Sequence, residues 1–83
     1  PNSAAILDSM GWVLFKLGRV VESVPYFEKA WAIVQDHEIA AHYGEVLWTL
    51  GRKVEAQQIW QQGYESTPES DKIRDTIQRL TDS

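Results

Sequence analysis

The sequence predicts an all-α protein, a solenoid of two helical hairpins closed by a fifth helix. Three observations carry this expectation. Residue i laid over residue i+33 reproduces its own chemistry along most of the chain. Inside each unit the apolar residues recur at helical spacing. Glycine or proline stands where a helix has to stop. Self-similarity at such a period is the signature of stacked repeats.

The superposition pairs Ile6 with Ile39, Gly11 with Gly44, and Val13-Leu14 with Val46-Leu47. It continues through Leu17-Gly18-Arg19 over Leu50-Gly51-Arg52 and Val21-Glu22 over Val54-Glu55. Aromatic character is kept where identity is lost, as in Phe15 over Trp48, Phe27 over Trp60 and Trp31 over Tyr64.

The first helix is expected from Ser3, whose hydroxyl suits an N-cap, to Leu17. Ile6, Met10, Val13, Leu14 and Leu17 give it an apolar stripe. Gly18 ends it by supplying a positive φ without steric cost. The second helix runs roughly from Val20 to Val34 and gathers Val24, Phe27, Ala30 and Trp31 on one face. Pro25 falls inside it and removes the bond to the Val21 carbonyl, which could cost on the order of 3 kcal/mol; a bend on the outer surface accommodates it. The second unit repeats the plan, with a helix from Glu38 to Leu50, a break at Gly51 and a helix from Lys53 to about Ser66, before Pro68. Ser70 then caps a fifth helix, with Asp71 in its first turn and Ile73, Ile77 and Leu80 as its apolar stripe. Lys72, Asp75, Gln78, Arg79 and Asp82 make its other face wet, as a terminal cap requires. Residues 1–83 thus read as one domain, with hairpins at 4–36 and 37–69 and the capping helix at 70–83.

Composition narrows the function. The chain has 83 residues, a size at which a single core is only marginally stabilising. Its net charge of −4 argues against nucleic acid, which needs a basic face. Having no cysteine, the chain has no disulfide framework and no thiolate ligand or nucleophile. The apolar runs, such as Trp12-Val13-Leu14-Phe15 and Ala30-Trp31-Ala32-Ile33-Val34, are far too short to insert into a bilayer. Four Trp, three Tyr and two Phe are many for this length and must form a dense core or a binding surface.

The quoted residues carry a family resemblance. Tyr43-Gly44-x2-Leu47, Gly51, Ala56-x3-Trp60, Gly63 and Pro68 in the second unit resemble the tetratricopeptide repeat, as do Met10-Gly11-x2-Leu14, Gly18, Ser23-x3-Phe27 and Ala30 in the first. The early tryptophan of that pattern is absent, with Leu7 and Ala40 in its place. Gly11 and Gly44, with Ala30 and Gly63 on the partner helices, admit close helix approach. The resemblance covers nearly the whole chain and implies a right-handed superhelix. If Ala4 opens a repeat, Pro1 falls on the closing proline of another, so the segment is expected to come from a longer array. "LDSMGWVLFKLGR" and "EIAAHYGEVLWTLGR" look more narrowly like the last repeats of tetratricopeptide lipoproteins of the Gram-negative envelope. That likeness implies a scaffold in the periplasm near the outer membrane, presenting partners to envelope enzymes or assembly machinery; a cytoplasmic setting is the alternative.

One stretch, His37-Glu38 followed by His42, imitates the zinc-peptidase HExxH helix. Histidines four apart lie about 40° apart on a helix, but these are five apart and roughly 140° around it, so they cannot chelate one ion. His37, in the first turn, is expected to meet solvent. Glu38, His42 and Glu45 share one face, where two carboxylates beside a histidine could make a pH-sensitive or weak metal spot; a solvated stripe with local pairing explains them as well. No catalytic triad or phosphate loop is present. The expectation is a non-enzyme with no cofactor and no metal.

The resemblance implies that the first helix of each unit lines a concave groove. Carried over by position, the groove residues are Ala5, Asp8, Trp12, Phe15 and Lys16, then Glu38, Ala41, Glu45, Trp48 and Thr49, with Lys72, Asp75 and Arg79 from the fifth helix; His42 lies beside them. Trp12 and Trp48 are the expected anchors, standing outside the positions that Phe27 and Trp60 use for helix packing, and Trp31 is a lesser candidate. Such a pair flanked by acids suits an apolar or basic extended segment. Ala5, Asp8, Ser9, Trp12, Ala41, His42 and Glu45 replace the cationic clamp of the heat-shock co-chaperone members, and these acids would repel a terminal carboxylate. The expected function is therefore a non-catalytic module binding a protein or peptide in its concave groove. The alternative is a structural end-cap for an array whose binding site lies elsewhere. The apolar edge around Ile6, Met10 and Val13 is expected to cause self-association of the isolated segment.

Overall fold

A computed structural model describes residues 3–82 as five α-helices: α1 Ala4–Lys16, α2 Val20–Ile33, α3 His37–Thr49, α4 Lys53–Ser66 and α5 Asp71–Thr81. The reading that involves Pro1 lies outside the described residues. Helices α1 and α2 form one hairpin, α3 and α4 the second, and α5 lies chiefly against α3.

Local chemistry sets the ends. Ser3 accepts a bond from the Ile6 amide at 3.3 Å and Ser70 one from the Ile73 amide at 3.2 Å, so α1 and α5 begin at hydroxyl caps. Asp36 does the same for α3, accepting from the amides of Glu38 and Ile39. Gly18 and Gly51 turn the chain out of α1 and α3 at φ 83° and 82°, a conformation that glycine adopts without penalty. Helix α2 runs through Pro25, which sits on its exposed side. The Ser23 hydroxyl donates to the Val20 carbonyl one turn earlier.

The core forms around α3. Eight of its residues are buried, including Ile39, Ala40, Val46 and Leu47, whereas α1 buries only Leu7 and Gly11. Val24 and Phe27 of α2, Ala56 and Trp60 of α4 and Ile73 of α5 join Ala40, Val46 and Leu47 in one cluster, while Ile39 packs with Leu7 and Ala30 in a second. Each hairpin closes by setting an aromatic ring on a glycine. A Cβ at Gly11 would lie 2.8 Å from the Phe27 ring, and one at Gly44 only 2.0 Å from Trp60 Nε1. Ile77 occupies the equivalent position of α5, so the fifth helix has no such seat for a partner ring. The stripe of Ile6, Met10, Val13 and Leu17 on α1 remains exposed.

Candidate functional site

The inner helices α1, α3 and α5 are joined laterally by polar contacts one repeat plus one residue apart. Asp8 Oδ1 and Oδ2 lie 3.0 and 3.1 Å from His42 Nδ1. Because an aspartate carboxylate accepts, Nδ1–H donates, which fixes the imidazole tautomer. Arg79 donates two bonds to the Glu45 carboxylate, at 2.6 and 3.1 Å. Lys72 reaches Glu38 at 3.2 Å, with both side chains more than half exposed. Glu45 is buried and Arg79 exposed, and the bonds to Glu45 hold the guanidinium above its ordinary pKa.

This geometry corrects the expected grouping of Glu38, His42 and Glu45. The three share a helix face, but each turns to a neighbouring helix: His42 to Asp8, Glu45 to Arg79 and Glu38 to Lys72. The His42 partner carboxylate comes from α1. Nor does His37 simply meet solvent, since its Nδ1 is 2.6 Å from the Ser70 hydroxyl that caps α5. Among the described residues no group of three or more His, Asp or Glu side chains gathers as a metal-ligand set.

The tryptophans need a second correction, for both contribute to packing. Trp12 stacks on His42, ring centroids 3.9 Å apart and planes 18° from parallel, and on Phe15 at 5.1 Å. Trp48 lies 5.6 Å from Trp60, tilted by 34°. Each remains partly exposed and carries an ammonium over its ring, Lys16 at 5.0 Å from Trp12 and Lys53 at 4.7 Å from Trp48. A cation over an indole face is attracted by the ring quadrupole. Lys53, at the start of α4, was not among the expected groove residues.

The expected site therefore divides in two. Asp8, Trp12, Phe15, Lys16 and His42 form one continuous group across α1 and α3. Trp48 belongs to another, lining a cavity of about 270 Å³ with Trp60, Tyr64 and Ile77 and a rim of Gln57, Gln61 and Thr81. Thr49 is exposed, and its hydroxyl donates to the Glu45 carbonyl at 2.9 Å. Ala5 stands at the far end of the inner face beside Asp8, Asp36 and Glu38. The acids flanking the tryptophans are thus engaged within the protein. The lateral pairs had a signal in the sequence: inner helices repeat every 33 residues, and opposite charges 34 apart face one another across the join.

Two equivalent hairpins closed ring-on-glycine, with a one-sided fifth helix, make this a helical-repeat protein with the tetratricopeptide fold. The chain is 46% identical over 81 residues, 98% of its length, to a TPR repeat-containing protein of Pseudomonas aeruginosa. It spans 14% of that relative's length. No family model matches the chain. The sequence likeness and the fold together support the tetratricopeptide-repeat family. No helix among the described residues is long and apolar enough to cross a membrane.

Proposed function

We propose that the chain is a non-catalytic protein-binding module that grips a segment of a partner along its inner helices, with Trp12 and Trp48 as anchors. The observation that carries this reading is the pair of partly exposed indoles, each held by neighbouring rings and overlain by a lysine. Aromatic anchors already locked by packing lose little freedom on binding. With Asp8 and Glu45 engaged internally, the groove favours apolar and aromatic side chains over basic ones. The P. aeruginosa relative, a TPR repeat-containing protein, supports a protein-interaction role. We place the parent protein in the periplasm of a Gram-negative bacterium, as an outer-membrane-associated scaffold, on the resemblance of its repeats.

Affinity capture from a Gram-negative envelope extract tests the groove, comparing the native chain with Trp12→Ala/Trp48→Ala. Because both tryptophans also pack, Lys16→Glu/Thr49→Glu, at two exposed positions, serves as the companion variant. Loss of the same captured protein in both variants, with helicity intact by circular dichroism, supports the groove. An unchanged catch would favour the second reading, a structural end-cap. That reading draws on Ile77, which stands where Gly11 and Gly44 receive the aromatic ring of a second helix.

A further inference from the structure

The two histidines of the chain both stand on α3, and each reaches a different inner helix through a hydrogen bond of opposite direction. His42 Nδ1 faces the Asp8 carboxylate, which only accepts, so this nitrogen carries the hydrogen. His37 Nδ1 instead lies 2.6 Å from Ser70 Oγ. That hydroxyl already accepts from the Ile73 amide at 3.2 Å, and Ser70 is only 2% exposed. It makes no further side-chain bond among the described residues, so its own hydrogen goes to His37 Nδ1. The hydroxyl donates and the ring nitrogen accepts, which requires a neutral imidazole with its hydrogen on Nε2.

An added proton acts differently at the two sites. At His42 the bond to Asp8 survives, because Nδ1–H is already the donor. At His37 the new hydrogen sits on Nδ1 and meets the Ser70 hydroxyl, which must turn its own hydrogen into a buried site without an acceptor. Such a group is destabilising. The cation also stands at the amide ends of two helices, since His37 is the first residue of α3 and Ser70 the cap of α5. Positive charge is unfavourable there. The charges beside these residues are already paired: Asp36 with the Glu38 and Ile39 amides, Glu38 with Lys72, and Asp71 with Arg74. Helix α4 meets His37 at Gly63, which brings no charge.

We infer that His37 and Ser70 form a pH-sensitive latch, which holds α5 against α3 while His37 is neutral and loosens when the ring gains a proton. Histidine changes charge between about pH 5 and 8, so the latch works near neutrality. The loosened state binds one more proton than the docked one, and docking therefore weakens as pH falls. Within α5 only Ile73 is buried, so the helix has few other holds. Its release uncovers the α4 surface at Gly63 on which Ile73 rests, while Asp8 and His42 keep α1 joined to α3. The latch lies at the α3–α5 join and does not depend on the inner tryptophans binding a partner.

NMR of the isotope-labelled chain tests the latch. At about pH 7.5 the ring nitrogen spectra should show His37 with its hydrogen on Nε2 and His42 with its hydrogen on Nδ1. Between about pH 7.5 and about pH 5.5, protection of the Ile73 and Arg74 amides, corrected for intrinsic exchange, should fall about tenfold relative to Val46. His37→Gln keeps an acceptor for Ser70 that takes up no proton, and should hold that ratio constant. Three results would overturn the inference. One is His37 carrying its hydrogen on Nδ1 at the higher pH. Another is a ratio that stays the same at both pH values in the native chain. The third is an equal fall in His37→Gln, which would assign the response to a different group.

Discussion

Helices α1 and α3 carry nearly the same pattern and have different fates. Ile6 is 49% exposed and its counterpart Ile39 4%; Met10 is 41% exposed and Tyr43 7%; Val13 is 59% exposed and Val46 0%. The pattern specifies which face of a helix is apolar. Whether that face is buried depends on a neighbour, and α3 has one on each side where α1 has one. This is the expected energetics of a solenoid, in which each unit gains most of its stability from adjacent units.

The comparison is broken most severely at the glycine seats. Gly44→Ala would press a methyl group into the Trp60 indole, with α3 held on both sides and unable to retreat. Overpacking of this kind costs about 3 kcal/mol or more. Gly11→Ala meets the edge of Phe27 from a helix with one open side and should cost about half as much by the same principle. Urea unfolding measures both, and equal losses would mean that α1 is held as rigidly as α3.

Next in size is the stripe itself. Ile39→Ala should lose about 2–3 kcal/mol through buried contact and a residual cavity, while Ile6→Ala should stay within about 0.5 kcal/mol, as exposed substitutions do. A large loss at Ile6 would show that the α1 face is covered in solution.

A smaller effect is expected at the α3–α5 join. Arg79→Ala strands the buried Glu45 carboxylate, and because Arg79 is itself exposed the loss should be about 1 kcal/mol. The raised pKa of Arg79 gives the sign of the pH dependence. Its contribution is fully present below the ordinary arginine value and is lost only as pH climbs through the raised one. The Arg79→Ala loss should therefore show no fading toward alkaline pH across the neutral range, and a loss that faded there would contradict the assignment.

Smallest and matched are the turn pairs, where Arg19 holds Glu22 and Arg52 holds Glu55 at 2.6 and 2.7 Å on the open surface. Hydrogen bonds from the arginines lower both glutamate pKa values. Their contribution is present above the ordinary carboxylate value and lost as pH falls through the lowered one. Arg19→Ala and Arg52→Ala should give indistinguishable midpoints at neutral pH, and a difference between them would mean that one pair serves a further contact.

Much of this was legible from the chain alone. The repeat, the Gly18 and Gly51 breaks and the Ser3 and Ser70 caps place all five helices to within about a residue, because turns and caps are local chemistry. The lateral joins were not read. Periodicity puts Glu45 and His42 on the inner face of α3, but which helix each turns toward depends on the offset between stacked units. Trp12 and Trp48 show two further limits: His42 of α3 comes beneath Trp12 only once the units stack, whereas Trp60 of α4 lies against Trp48 inside the second hairpin, a packing contact the motif positions did not reveal.

The most direct test of the inner-helix account is hydroxyl-radical footprinting of the four tryptophans with a captured partner bound. The account predicts protection of Trp12 and Trp48, with Trp31 unchanged on α2 and buried Trp60 unreactive throughout. Protection of Trp31 with Trp12 and Trp48 unaffected would contradict it and move the working surface off the inner helices.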